Sequence, residues 1–424
     1  MAAPSSVSEI DLTDVDLFVR GEQYQAWRIL RRECPVHWNE RSWGPGFWNI
    51  TRYEDVVRVG IDPATFISSQ GIVLDNDGRR TQREERLRGA GTFYDPRGNM
   101  MIMTDPPRHT LLRRMVNKAF THKAVRRMEP HIRRLATKII DDIAERGECD
   151  FVWDVARLLP LEVICEMVGV PEGDWEGMFE LSNRVLGFDD PEFRPSTDEI
   201  TPEDMKLSLE LMQYVAAQAA DRRKNPRDDV LSVLVHGEVD GEHLRDDEIF
   251  MFFLLLIIAG NETTRQATSG GMLALIENPG ERRKLVNDPS LVPLAVEEIV
   301  RWTSPVVHFE RRATRDTEIR GQRIAKGETV VLWYPSANRD EDVFRDGERF
   351  IVDRSPNDHI AFGKGEHFCL GANLARLELR VMFEELVRRV PHMELAGPVE
   401  RLRSNFIGGI KRMPVRFPPF ARAA

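Results

Sequence analysis

The amino-acid sequence predicts a mostly helical chain with small β-sheets packed to one side, an α+β fold. Three observations carry that reading. Apolar side chains recur at helical spacing over most of the 424 residues. Strand patterns are confined to a few short stretches. Prolines and glycines are scattered as turns and caps, with no repeat, low-complexity tract or long linker, so residues 1–424 read as one continuous domain.

Each element follows from its local pattern. "FWNITR" (47–52) is an early strand signal. "RHTLLRRMVNKAFTHKAVRRMEPHIRRLATKIIDDIAERG" reads as two helices, broken near Pro130 or in the "AFTHKAV" turn. "LPLEVICEMVGV" (159–170) is a short helix ended by Pro171. Asp246 to Asn278 reads as one helix of about 33 residues, roughly 50 Å at 1.5 Å per residue. Its apolar run, "IFMFFLLLIIAG" (249–260), is too short to span a bilayer and suits a buried core helix. "LVPLAVEEIVRWTS" is another helix. "FERRATRD", running into "TEIRGQRIAKGETVVLWY" (309–334), and the C-terminal "GIKRMPVRF" are strands.

Composition removes several function classes. A hydrophobic content of 42% is enough for a large buried core. The net charge, 59 − 69 = −10, argues against a general nucleic-acid binder. Cys34, Cys149, Cys165 and Cys369 are widely spaced with no CxxC pair, which disfavours a disulfide framework or a structural zinc site and fits a reducing compartment, the cytoplasm. The N-terminus is acidic without an apolar h-region, so neither a signal peptide nor a membrane anchor is expected.

"FGKGEHFCLG" (362–371) raises the functional question. Cys369 taken alone is a small apolar core residue, a nucleophile or a metal ligand. Gly363, Gly365 and Gly371 keep side chains away from the sulfur, as needed where backbone approaches a bulky flat ligand. A helix starts at the cysteine, and its first amides favour a thiolate. No acid or base stands beside it. That combination suits haem ligation better than nucleophilic attack. Phe362 would then lie near the sulfur and shield it, and His367 would face the propionate edge.

The stretch resembles, position for position, the cysteine loop of the cytochrome P-450 monooxygenases, F-G-x-G-x-H-x-C-x-G. Three further motifs follow the family's order, and the resemblance runs from about residue 15 to 420. It implies a triangular helical prism around a buried haem b, with Cys369 as axial ligand of the iron. "AGNETTR" (259–265) resembles the family's oxygen-binding groove. Gly260 weakens the helix there, and threonine hydroxyls can bond back to the preceding turn, so a kink is expected. Carried over, Ala259 borders the haem, and Thr263 with Glu262 delivers the two protons that O–O cleavage requires, Glu262 feeding them from solvent. "EEIVR" matches the family's E-x-x-R, with Arg349 of "GERF" completing a Glu298–Arg301–Arg349 charge network that serves the fold. Gly347 stands where the family more often has proline. His109, Arg113, Arg311 and His367 are the propionate candidates.

Substrate is less legible. Ile72, Val73, Leu74, Phe93, Met100, Val306, Val307, Phe406 and Ile407 are the expected apolar lining. Arg79, Arg80, Arg83 and Arg97 at the mouth read as a solvated loop rather than a carboxylate clamp. "EVDGE", "AVEEIVRWTSPVV" and "LWYPSANRDE" look like the bacterial branch that hydroxylates cholesterol side chains and methyl-branched lipids. "YPSANRDE" with "SNFIGG" also looks like bacterial terpene hydroxylases. The expectation is a monomeric monooxygenase that hydroxylates an unactivated C–H bond of a sterol, isoprenoid or methyl-branched lipid. It would use O2 and two electrons from a ferredoxin and its reductase, because no flavin or iron–sulfur domain is visible in the chain. The rivals are a terpene or small-aromatic hydroxylase, a peroxide-using haem-thiolate enzyme and a non-catalytic haem sensor or carrier.

Overall fold

The computed structural model describes residues 3–78, 81–82, 84–85, 95–193, 202–239 and 241–423. The long helix runs from Asp246 to Glu277, 32 residues and about 48 Å. It is the axis of the molecule. Helices Leu158–Val168, Trp175–Leu186, Val292–Thr303 and Ala372–Arg389 all pack against it. This enclosure explains why the apolar run has no polar face: Phe252, Phe253, Ile257, Met272 and Leu275 point in different directions and are all buried.

Two helix boundaries differ in detail from the sequence reading. The double helix after Arg108 breaks at a 3₁₀ turn, Lys118–Phe120, and Thr121 caps the next helix by accepting from the Ala124 N–H. His122–Ile143 then continues through Pro130, held by its amphipathic packing on Ala372–Arg389 despite the lost backbone bond. Leu158–Val168 ends before Pro171, because Gly169 takes φ +96° and its N–H bonds the Cys165 carbonyl.

A five-stranded sheet lies beside the helices. Its order is Val36–Asn39, Phe47–Ile50, Thr329–Trp333, His308–Ala313, Phe66–Ile67. All pairs are antiparallel except Thr329–Trp333 on Phe47–Ile50. The central strand is buried on both faces. Val330 and Leu332 enter one apolar cluster with Val36 and Ile50, while Val331 and Trp333 enter another with Trp27, Leu30 and Phe47. That is why "TVVLW" does not alternate. A smaller sheet joins Glu148–Asp150, Glu394–Leu395 and Pro414–Arg416.

The charge network is built differently from the expectation. Glu298 and Arg301 are fully buried, and Glu298 accepts from Arg301 Nε and Nη2 at 2.7 and 2.8 Å. The third side chain is Arg354, whose Nε lies 3.0 Å from Glu298. Arg349 is exposed and offers only its carbonyl, which accepts from both Arg301 and Arg354 at 2.9 Å. The chain crosses the brace at Arg349 with its backbone inward, so the guanidinium is directed to solvent. Gly347 is required where it stands: its carbonyl accepts from Arg301 at 2.8 Å, and a Cβ would lie 2.7 Å from the Arg339 carbonyl.

Arg354→Met strips a partner from a buried carboxylate and is expected to cost about 3–5 kcal/mol. Arg349→Met leaves the carbonyl in place and should stay within about 0.5 kcal/mol. Urea unfolding of the two variants beside the parent chain checks the assignment. Equal losses would show that Arg349 acts through its side chain after all.

Candidate functional site

The loop 362–371 enters as a tight coil and leaves as helix Ala372–Arg389. Gly363 and Gly365 both sit at φ +74°. A Cβ on Gly365 would lie 2.4 Å from the Gly60 carbonyl, so no other residue fits. The Cys369 N–H donates to the Phe362 carbonyl at 2.8 Å, which folds the loop back and presents the thiol upward. Arg376 lies 4.5 Å over the Phe362 ring and is clamped to Glu297 at 2.7 and 2.8 Å. Burial pushes the Cys369 thiol up, against the Gly371 amide, Arg113 and Arg376. All four cysteines are unpaired.

Cys369 opens on a cavity of about 580 Å³. Phe362, Gly363, Cys369 and Gly371 form its floor, and Ala259, Gly260, Thr263 and Ala267 of the long helix face them. The helix is continuous through 259–265. Gly260 serves close packing, since a Cβ would meet Ile164 at 2.5 Å. Thr263 Oγ1 donates to the Ala259 carbonyl at 2.9 Å and lines the cavity. Glu262 neither lines the cavity nor meets solvent. It is 1% exposed, is not among the lining residues, and is held in a buried pair with Arg265 and by Gln266 Nε2 at 2.6 Å. Successive helix residues are turned by about 100°, so Glu262 points away from the cavity when Thr263 points in. Arg265 is tied in turn to Asn183 at 3.1 Å.

The rim carries two arginines, with the carboxylates of Asp105, Glu366 and Glu310 near Arg311 but not in direct contact with its guanidinium. Arg311 is 6% exposed and makes one hydrogen bond, to the Glu310 carbonyl. Arg113 reaches only the Glu366 carbonyl, at 3.1 Å. Among the described residues neither has an ion pair. His109 lies against His367 with ring centroids 4.2 Å apart and the rings tilted by 49°, and both His109 nitrogens lack partners. Burial with Arg113 pulls His109 down to about 4, and burial with Arg311 pulls His367 to about 2. Burial raises Glu366 to about 7. A buried guanidinium needs an anion; at this rim Arg311 is buried and Arg113 half-buried. A haem fits here: the thiol for the iron, a floor with no Cβ at Gly363 or Gly371, and two cations for two propionates.

The apolar walls divide the expected lining. Ile72, Val73, Met100, Val306, Phe406 and Ile407 do face the cavity. Leu74 and Val307 do not; both sink into the cluster with Trp27 and Trp333 on the far side. Adjacent residues of an extended chain point opposite ways, so Val306 inside puts Val307 outside. Phe93, Arg79, Arg80 and Arg83 lie outside the described residues. Arg97 is paired with Asp95 at 3.0 Å.

Phe309, within the 306–309 segment expected at the pocket, lines the cavity; sequence reasoning missed Tyr334, which also lines it, and Ser68, whose hydroxyl is 3.2 Å from His367 Nε2. It also missed Glu378. This residue is on the cysteine helix, 2% exposed, with Oε2 unpartnered, and it lines the cavity. An isolated glutamate in "ARLELR" carries no signal, because which face of the helix meets the core is decided by packing.

The family model "Cytochrome P450" matches residues 178–395. A Mycobacterium tuberculosis methyl-branched lipid omega-hydroxylase is 42% identical over 96% of this chain and 95% of its own length. A Rhodococcus jostii steroid C26-monooxygenase is 35% identical over 98% of this chain and 86% of its own. The structure of a Mycobacterium marinum cytochrome P-450 in complex with pseudoionone superposes with a TM-score of 0.86, at 37% identity, covering 98% of this chain and all of that one.

Burial pushes Glu378 up to about 8 from 4.5. The folded chain therefore keeps a proton that the unfolded chain releases above pH 4.5. Stability falls as pH rises through that window, by at most about 1.4 kcal/mol per unit, and levels off above the folded value. Glu378→Gln should flatten this fall between pH 5 and 8 when unfolding is followed in urea across pH. Parallel curves for variant and parent would show the carboxylate ionised in the folded chain.

Proposed function

That the chain belongs to the cytochrome P-450 family is the premise from which we propose its reaction, hydroxylation of an unactivated C–H bond in a methyl-branched, isoprenoid or sterol-like lipid. The chain is a monooxygenase. The observation that carries the substrate class is the cavity wall. Above Cys369 and Thr263 it is built from Ile72, Val73, Met100, Val306, Phe309, Phe406 and Ile407. Such a surface binds by apolar burial, at about 25 cal/mol per Å². The likeness to lipid and steroid hydroxylases supports the same class.

Haem iron held by a thiolate supplies O2 activation with two electrons and two protons. Haem b is the form the fit suggests, with Cys369 for its iron and Arg113, Arg311, His109 and His367 for its propionates. The chain's own residues do the rest. The apolar walls exclude water. Thr263 holds a hydroxyl at the cavity face, where it passes a proton inward. Glu262 resupplies it when its pair with Arg265 opens. Electrons come from a ferredoxin and its reductase. Arg114 and Lys364, exposed on the cysteine face, are the docking cations; Arg376 is engaged by Glu297, and Arg113 faces inward. We place the enzyme in the cytoplasm as a monomeric, single haem-thiolate domain. Among the described residues no helix is long and apolar enough to cross a membrane.

Optical titration of the ferric protein tests the substrate class. A saturable shift toward high spin with phytanic acid or cholest-4-en-3-one is expected. A shift with a monoterpene alcohol or a small aromatic alone would move the enzyme to small-molecule hydroxylation. Thr263→Ala should lower the yield of product per electron pair about tenfold and divert the difference into peroxide; full coupling in that variant would remove Thr263 from proton delivery. Lys364→Glu should slow ferredoxin-supported turnover at low salt and weaken its salt dependence. An unchanged salt profile would place docking elsewhere.

A further inference from the structure

His308 is completely buried where strand His308–Ala313 begins, and nothing in the chemistry above uses it. Its Nδ1 lies 2.8 Å from the Asn405 carbonyl, which can only accept, so Nδ1 carries the proton. Nε2 is then the acceptor, and the Leu74 N–H donates to it at 3.0 Å. A neutral ring in this tautomer satisfies both neighbours. Burying two ring nitrogens is costly unless both are paired. An apolar ring would sit more easily beside Trp333, whose ring is 5.1 Å away, so the imidazole is kept for what it joins.

What it joins is the roof of the cavity. Leu74 directly follows Ile72 and Val73, and Asn405 directly precedes Phe406 and Ile407; all four of those apolar residues line the cavity. The strand between them carries Phe309, and Val306 precedes it, bridged to Ile407; both also line the cavity. Backbone bonds already tie Glu310 to Ile72 and Val307 to Phe406, at 2.9 and 2.8 Å. His308 adds a side chain that bonds both flanking segments, and its ring stands edge-to-face on Phe406 at 5.5 Å. Asn405 extends the tie, donating to Asn76 Oδ1 at 2.7 Å, and Asn76 donates to Asp189 beside the wall residue Phe188.

We propose that His308 is a specificity-determining positioning residue, which sets the height and register of the cavity roof by locking the segments at 72–74 and 405–407 to one strand. This rests on the cavity being the substrate chamber. His308 touches no substrate; it acts through Phe406 and the 72–74 segment.

The test uses haem-loaded His308→Phe, His308→Asn and His308→Gln beside the parent. Hydrogen exchange at the Leu74 amide reads the lock directly. It should rise about tenfold in H308F and H308N, and stay slow in H308Q, whose side-chain carbonyl replaces Nε2. Imidazole and 4-phenylimidazole, which ligate haem iron whatever the natural substrate, read the roof. Imidazole affinity should hold while 4-phenylimidazole affinity changes about tenfold relative to it in H308F, with either sign counting as support. If H308F does not retain haem, H308N against H308Q gives the same comparison with milder changes. Slow Leu74 exchange in H308N together with an unchanged azole ratio would overturn the proposal. Absence of a spin shift with every lipophile would defeat the substrate reading alone, because the azole ratio and the exchange rates do not depend on it.

Discussion

Glu298 is the point on which the molecule turns. A carboxylate with no exposure is tolerable only when its lone pairs are filled, and here five donors fill them: Arg301 twice, Arg354, the Ile351 amide and Asn357. These donors belong to a helix and to the irregular segment that leads into the cysteine loop. The segment has almost no regular structure of its own, so its shape is dictated from Glu298 outward. Asn338 and Gly347 join through carbonyls that accept from Arg301. Cys369 is thus aimed by a charge network a long way along the chain from it, and the thiol's position is as rigid as that network is complete.

The cavity rim follows the opposite rule. Arg311 is buried and Arg113 half-buried, neither in an ion pair among the described residues, and burial together with their field discharges His109 and His367. At the brace the protein supplies its own counter-charge; at the rim it leaves the charge for a guest. The contrast separates the two kinds of buried arginine. Those in a closed network serve the fold, and those left open mark where an anionic group belongs. The Glu262–Arg265 pair is a third case, closed as it stands yet one helical step from the cavity.

Much of this was visible in the chain. Gly363 and Gly365 were legible because backbone geometry admits no other residue there, and the long helix was legible because a twelve-residue apolar run ends in polar residues that return to an apolar pattern. Cys369, Thr263, Arg311 and His109 were singled out separately, and the structure brings them to one cavity. What was not legible depended on sidedness. Leu74 and Val307 are as apolar as their neighbours and differ only in which face the extended chain turns inward. Arg354 and Arg349 are five residues apart, and nothing local says which of them keeps its side chain inside. Glu262 was read as open to solvent because a single sequence does not show that Arg265, three residues on, closes over it. Pro130 signals a break, yet packing on the cysteine helix outweighs it.

The central sheet has a consequence in time. Phe47–Ile50 pairs with Thr329–Trp333 in parallel, so a strand made early in synthesis has no inner neighbour until nearly three hundred residues later. Its partner on the other side, Val36–Asn39, can form a hairpin with it, but an isolated two-stranded ribbon is marginal in water. Closing so long a loop is entropically slow. Phe47 and Ile50, both fully buried, depend for that burial on the late strand. The sheet therefore closes only once the Thr329–Trp333 strand is in place, which ties the region around residues 36–50 to a segment far along the chain.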